Sequence, residues 1–438
     1  MYCYSTKNKL VRVPLKEAVL QGIASDGSLY MPEEIPLLPA GFYEQLQDKS
    51  LIEIAQEVIS PYFIDHIPQN ILNDIISDAF NFPAPVIKFS EDLFICELFH
   101  GPTLAFKDFG ARFLSRILSY YQRKEDQEIL ILVATSGDTG GAVASGFYGL
   151  KGINVGILYP SGGVSPLQEK QLTSWGGNII AYEVEGNFDD CQRLVKAALI
   201  DQELREKFKF SSANSINLAR LIPQSLYYFE SIKQIGARDD VVFIVPSGNL
   251  GNLFAGVLAK AMGLNYRFLI AACNANNSFT SYIHHGVFEP KATIKTLSNA
   301  MDVGNPSNFE RINDFFGSTW NQALLNHIKS ASISDASTLR AIKTFNKEYS
   351  YLLDPHGAVG YASYETLAKK DGLYCILETA HPAKFDYIYQ EHLNLDINIP
   401  KTLQEFSFKE KHSILIKPEL KYLKDSLLKL LTSSTWNN

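Results

Sequence analysis

Apolar runs alternating with amphipathic stretches set the rhythm of the middle of the chain. "GARFLSRILSYYQRK" brings Phe113, Ile117 and Tyr121 onto one face at helical spacing. A polar break, "KEDQE", is followed by "ILILVATSG", a continuous apolar run from Ile129 that ends in a turn at Gly137. A strand buried on both faces of a parallel sheet has this character. "GAVASGFYGLKG" reads as the next helix and "INVGILYP" as the next strand, and "NIIAYEVEG" with "FDDCQRLVKAALID" repeats the unit. Further on, "DDVVFIVPSGNLGNLFAGVLAKAMG" is strand, glycine-rich turn and helix, "FLIAACN" is another strand, and "YCILETAHPAKF" starts as one. The alternation predicts an α/β fold with mostly parallel sheets. Such sheets bind ligands beyond the carboxyl ends of their strands, so the turns after the apolar runs are where chemistry is expected.

The two ends read differently. Residues 1 to about 90 look mixed and helical, and "NFPAPVIKFSED" (Asn81 to Asp92) has the proline content of a boundary. From about Asn394 onward the chain is charged and helical in places, without a chemical signal. At 438 residues the chain is long enough for two or more domains. Its 46% hydrophobic and 20% charged residues are those of a soluble globular protein. A net charge of −7 without any basic cluster argues against an extended nucleic-acid footprint. The five cysteines (Cys3, Cys96, Cys191, Cys273, Cys375) are scattered, form no CxxC pair and suit neither a metal site nor a disulfide framework. A reducing, cytoplasmic compartment is expected. The N-terminus lacks the apolar core of a signal peptide, and no apolar run is long enough to span a bilayer.

Five stretches could carry chemistry. In "VPSGNLGNLFAG", residues Ser247, Gly248, Asn249, Leu250, Gly251 and Asn252 lie between strand and helix, where backbone N–H groups close on an anion. The same residues would also suit a tight turn with no ligand. In "VATSGDTGGAVA", Thr135, Ser136, Asp138 and Thr139 bring hydroxyls and a carboxylate to another helix start, where they are equally the usual caps. In "HGPTLAFKDFG", Lys107 lies between Phe106 and Phe109, which would desolvate the amine and lower its pKa as a nucleophile requires. A lysine snorkelling over apolar surface fits the same letters, and Asp108 could simply cap the helix. "SSANSINLARLIPQ" places Asn214, Ser215 and Asn217 before a helix with Arg220, a phosphate-gripping side chain or a solvated one. "LETAHPAKF" places Thr379 at a strand end. The histidines show no metal spacing, and adjacent His284 and His285 fall on different faces.

Taken in order, these stretches resemble the threonine synthase family, pyridoxal-phosphate enzymes of fold-type II. The likeness starts at "GIASDGSLYMPEEIP" and runs through "HGPTLAFKDFG", "ATSGDTGGA", "VPSGNLGN", "SNAMDVGNPSNFER", "DPHGAVG" and "ETAHPAKF", spanning most of the chain. It implies two open, mostly parallel α/β sheets with the cofactor, pyridoxal 5'-phosphate, between them. The expected division is an N-terminal accessory domain (1–90), a large cofactor-binding domain (91–125 and 233–438) and a smaller mobile domain (126–232). The resemblance makes Lys107 the cofactor-bearing and proton-moving amine, the loop from Ser247 to Asn252 the cradle of the cofactor phosphate, and Thr379 the partner of the pyridine nitrogen. It gives Thr135, Ser136, Asp138 and Thr139 to the substrate, and Asn214, Ser215 and Arg220 to its phosphate.

The activity implied is a β,γ-replacement that turns O-phospho-L-homoserine and water into L-threonine and phosphate, the last step of threonine biosynthesis. Two alternatives share the motifs: a phospholyase releasing 2-oxobutanoate, and a non-catalytic relative that binds phosphate ligands. The sequence lacks the long N-terminal extension of the plant type, so activation by S-adenosylmethionine is not expected. The microbial and fungal branch is the better likeness; its members are often monomers, and a dimer is the alternative. His100, Asp302 and His356 receive no role.

Overall fold

The apolar runs pair into two parallel sheets with their carboxyl ends turned toward a shared cavity. The computed structural model describes every residue except 124, 126, 237, 238, 318, 319, 370, 371 and 431–438. The strands in chain order are β1 (Tyr2–Ser5), β2 (Arg12–Pro14), β3 (Tyr30–Pro32), β4 (Val86–Lys88), β5 (Leu93–Glu97), β6 (Ile129–Ala134) and β7 (Ile153–Pro160). They continue with β8 (Ile179–Val184), β9 (Lys209–Ser212), β10 (Val241–Pro246), β11 (Phe268–Cys273), β12 (Ile328–Ser332), β13 (Leu373–Glu378) and β14 (Ile414–Ile416). The large sheet has the order β12-β11-β10-β13-β5-β4 and is parallel except for its edge strand β4. The smaller sheet has the order β14-β8-β7-β6-β9 and is parallel throughout. A small antiparallel sheet, β2-β1-β3, forms in the N-terminal segment.

Every residue of β6, β10 and β13 is buried, which is why those runs are apolar without alternation. Strand β6 leads into the helix Asp138–Phe147, and β10 into the helix Gly251–Ala261. The helix Lys107–Gln122 buries Phe113, Ile117 and Tyr121, the stripe expected from their spacing. Phe113 meets Phe63 and Phe80 of the N-terminal segment, with ring centres 5.3 and 5.9 Å apart.

Two expected boundaries change. The large domain was expected to run to residue 438, but β14 pairs with β8 and completes the smaller sheet. The helix Leu420–Leu430 then buries Leu423 and Leu427 in one core with Leu194 and Val195 of the helix Phe188–Ile200. An apolar edge and helix face thus find cover from the far end of the chain. The smaller domain was expected to run to residue 232, yet the helix Leu226–Ile235 packs on the large sheet. Its Tyr228 stands 4.9 Å from Phe243 of β10 by ring centres and donates to the Asn252 carbonyl at 2.9 Å. Among the described residues, no helix is long and apolar enough to cross a membrane.

Candidate active site

The ends of β6, β10 and β13 surround a cavity of about 800 Å³, open solvent at its mouth included. Lys107 is the first residue of its helix and reaches into this space. Its position is fixed from behind: the Phe106 N–H donates to the Thr379 carbonyl at 2.9 Å, and Ala105 bridges to Ala380. Desolvation pulls the Lys107 amine down from 10.5 to about 8; Asp138 opposes this, and Arg220 and Lys384 add to it. Phe106 supplies the aromatic neighbour, its ring centre 5.3 Å from Nζ. Phe109 does not. Two positions along a helix point to different faces, and Phe109 packs into the core on Phe82 and Tyr227, at 4.8 and 5.3 Å between ring centres. Asp108 is not a helix cap either. It is buried and receives the Thr103 N–H at 2.9 Å and the Thr103 hydroxyl at 2.7 Å, which holds the preceding loop.

The turn after β10 is built for an anion. Leu250 adopts a left-handed conformation (φ 60°), and the helix Gly251–Ala261 starts directly after it. The first N–H of that helix to find a backbone acceptor is that of Phe254, which donates to Leu250; the preceding residues, Gly251, Asn252 and Leu253, line the cavity at the positive end of the helix dipole. A Cβ on Gly248 would lie 2.7 Å from the Met301 Cα, so the loop packs closely on its neighbour. Asn249 is clamped, accepting from Ser307 N–H at 2.5 Å while the Asn308 amide donates to its carbonyl at 2.9 Å. Asn252 accepts from Tyr227 at 2.7 Å and Tyr228 at 3.0 Å, which leaves its buried Nδ2, without a partner among the described residues, as a donor. Thr379 lines the same cavity. A low-pKa amine, a backbone anion cradle, a spare amide donor and a hydroxyl fit pyridoxal phosphate.

On the other side of the cavity the expected substrate residues divide. Ser136 and Thr139 line it. Thr135 does not: its hydroxyl accepts from Gly137 N–H at 3.0 Å and Gly140 N–H at 2.8 Å, and it fastens the turn. Asp138 lines it, but its Oδ1 is engaged by Lys384 Nζ at 2.6 Å and Gln168 Nε2 at 2.9 Å. Burial alone would raise Asp138; Lys384 and Lys107 outweigh it and hold the carboxyl below the usual carboxylate range. Asn214 contacts the cavity with its amide committed to both backbone groups of Ala134. The Ser215 hydroxyl accepts from Asn249 and Asn308 at 3.3 and 3.1 Å.

Arg220 and Arg311 are both fully buried, with opposite consequences. Arg311 donates to the carbonyls of Tyr30, Ser215 and Ile216 and to Asn308, stitching the N-terminal segment beneath the site. Arg220 donates to Ala213, lines the cavity and, among the described residues, leaves its buried Nε without a partner. Desolvation lowers its pKa to about 10, partly offset by Asp108.

Phe188, Gln224, His356 and the segment Ala300–Val303 also line the cavity and were not assigned from sequence. "SNAMDVGNPSNFER" and "DPHGAVG" carried the signal for two of these places. Asp302 lies behind the wall, bonded to Asn274, Asn276 and Thr296, and burial raises it to about 6. His100 is outside the cavity, 2.7 Å from Glu97. Among the described residues, no group of three His, Cys, Asp or Glu side chains is placed to hold a metal ion.

This fold and cavity define a pyridoxal-phosphate-dependent enzyme, and residues 82–374 match the family described as pyridoxal-phosphate dependent enzyme. Residues 2–80 match the one described as threonine synthase N terminus. The chain belongs to the threonine synthase family. It is 43% identical to threonine synthase of Haemophilus influenzae, over 92% of this chain and 94% of that one. The Escherichia coli threonine synthase structure superposes with a TM-score of 0.93 at 39% identity, covering 98% of this chain and 100% of that chain. A pyridoxal-phosphate-bound threonine synthase from Brucella melitensis has a TM-score of 0.90 at 34% identity, covering 98% of each chain.

Proposed function

We propose that this protein is a threonine synthase, converting O-phospho-L-homoserine and water into L-threonine and phosphate, with Lys107 as its working base. The observation that carries the assignment is one cavity holding the desolvated Lys107 amine, the anion cradle at 247–252 and the Arg220 guanidinium. Bound pyridoxal phosphate supplies the electron sink for charge developing on substrate carbon.

The chain does the rest. The loop 247–252 takes the cofactor phosphate on its N–H groups, Asn252 Nδ2 supplies a donor to a cofactor oxygen, and the Thr379 hydroxyl serves the pyridine nitrogen. Lys107, lowered to about 8, sits near the pH at which one amine both accepts and returns protons. It takes the proton from the substrate Cα, serves the proton transfers at the neighbouring carbons as phosphate leaves Cγ and water adds at Cβ, and returns a proton at the end. Arg220 binds the substrate phosphate, Ser136 and Thr139 orient its amino-acid end, and Phe106 and Phe188 limit water in the cavity. Asp138 serves by holding Lys384 and Gln168 rather than by touching substrate. We read the protein as a cytoplasmic monomer; its five cysteines are all free and buried, as a reducing compartment allows.

Incubation with O-phospho-L-homoserine tests the function. Threonine and phosphate in equal amounts are expected. Release of 2-oxobutanoate without threonine would make the protein a phospholyase, and absence of both phosphate release and cofactor binding would make it a non-catalytic relative.

A further inference from the structure

Three buried side chains with no assigned role meet at the cavity wall, His356 lining the cavity and Asp354 and Glu378 behind it. Glu378 ends β13, while Asp354 caps and His356 opens the helix Pro355–Leu367. Asp354 and Glu378 are wholly buried, and His356 is nearly so. Among the described residues, no lysine or arginine forms a salt bridge with either carboxyl. Two adjacent carboxylates without a cation do not both ionise.

The hydrogen bonds decide which one carries the proton. Asp354 receives the His356 N–H at 2.7 Å, His356 Nδ1 and, at 3.3 Å, the Ala380 N–H. Among the described residues, Glu378 receives only the Asp354 N–H, at 2.6 Å, on Oε1, and its Oε2 has no hydrogen-bonding partner. An orphaned buried oxygen beside a carboxylate is satisfied when it carries a proton and donates it. Burial and the neighbouring Asp354 charge push Glu378 well above the ordinary carboxyl range, in agreement with that count. The space is tight enough to demand glycine next door, since a Cβ on Gly357 would fall 1.5 Å from Oε2.

The same logic fixes the imidazole. Ala300 N–H points at His356 Nε2 from 3.2 Å, so Nε2 is the acceptor and the proton sits on Nδ1, facing Asp354. Ala300 belongs to the segment that walls the cavity, and the next residue, Met301, is the one against which Gly248 of the anion cradle packs.

We propose that Glu378, carrying its proton, together with Asp354 and His356, forms a positioning chain that seats the Ala300–Val303 wall, and through it the anion cradle, by way of the Ala300 N–H. This rests on the reading of the cavity as the cofactor site. In this assignment the chain acts through the wall, and Asp354 and Glu378 line no part of the cavity.

Hydrogen exchange and kinetics on the full chain test it. The Ala300 amide is expected to be protected in the parent protein with or without cofactor. Glu378→Gln keeps a neutral donor, so it retains that protection and activity within about threefold. His356→Gln can donate to Asp354 and accept from Ala300, and is expected to rescue most of both. His356→Leu removes both bonds: Ala300 should exchange at least tenfold faster, and cofactor affinity and kcat/KM should fall by about 10–100-fold, the usual cost of losing an orienting partner. Circular dichroism separates this from unfolding, and if His356→Leu does not fold, the Gln variants carry the test. Two results would overturn the proposal: Ala300 exchange unchanged in a folded His356→Leu, or Glu378→Gln losing Ala300 protection. Exchange is read without turnover, so failure of the threonine synthase assignment alone would leave the Ala300 result standing.

Discussion

Lys384 Nζ lies 2.6 Å from Asp138 Oδ1, a wholly buried ion pair that ties the turn after β13 to the turn after β6 and so joins the two sheets across the cavity. Lys384 also donates to the Thr103 carbonyl at 3.0 Å, and Ser165 donates to the Lys384 carbonyl at 2.7 Å. A buried charge left alone is far more costly than the pair. Lys384→Met should therefore destabilise the protein by about 3–5 kcal/mol, read by urea unfolding.

Desolvation sets the pH response of Lys107, and the same pair adjusts it. An amine attacks the cofactor only when unprotonated, so the rate of cofactor capture by the apoprotein should rise with pH and level off above about 8. Lys384 repels the protonated Lys107 and Asp138 attracts it, so Lys384→Met should move that midpoint upward. The stability sign follows from the lowered folded-state value. The unfolded chain holds the Lys107 proton up to about 10.5 and the folded chain releases it near 8, so this group makes the apoprotein more stable as pH rises across that window. Lys107→Met should remove that rise, which pH-dependent unfolding would show.

Arg220 waits for an anion. Arg220→Ala should raise KM for O-phospho-L-homoserine roughly 30-fold or more, about 2 kcal/mol, because a desolvated charge partner is lost. Cofactor affinity should change little, and steady-state kinetics with cofactor titration separate the two. Equal loss of both would place Arg220 on the cofactor phosphate instead.

Gly248 marks the tightest point of the anion cradle. Gly248→Ala sets a methyl against the Met301 backbone at 2.7 Å, where no flexible side chain can yield. The strain should cost about 1–3 kcal/mol and appear mainly as weaker cofactor binding, measured by equilibrium titration.

Thr135 and Ser136 are neighbours with different work. Thr135→Ala removes the acceptor for two N–H groups and should lower stability by about 1–2 kcal/mol with KM unchanged. Ser136→Ala should leave unfolding unchanged and raise KM. Thermal melts and kinetics on both variants check the split.

Much of this site was legible because it is local. Lys107 and residues 247–252 each sit in one short stretch, where residue type and position made them candidates and the order of the motifs chose between the readings. Thr135 misled because spacing does not show whether a hydroxyl turns toward the helix or the cavity. Phe109 misled because adjacency in sequence is not adjacency on a helix. Strand β14 is three residues long and pairs with a partner more than two hundred positions away, so no local pattern announces it. The Glu378, Asp354 and His356 cluster was unreadable for a similar reason: its protonation is decided by burial and by bonds between separate segments.

The most direct test of the account is to locate the cofactor-bearing amine. The holoprotein would be reduced with borohydride, digested and sequenced by mass spectrometry. The account predicts the pyridoxyl mass on Lys107 alone. Label on Lys384, the other buried lysine beside Asp138, would contradict it.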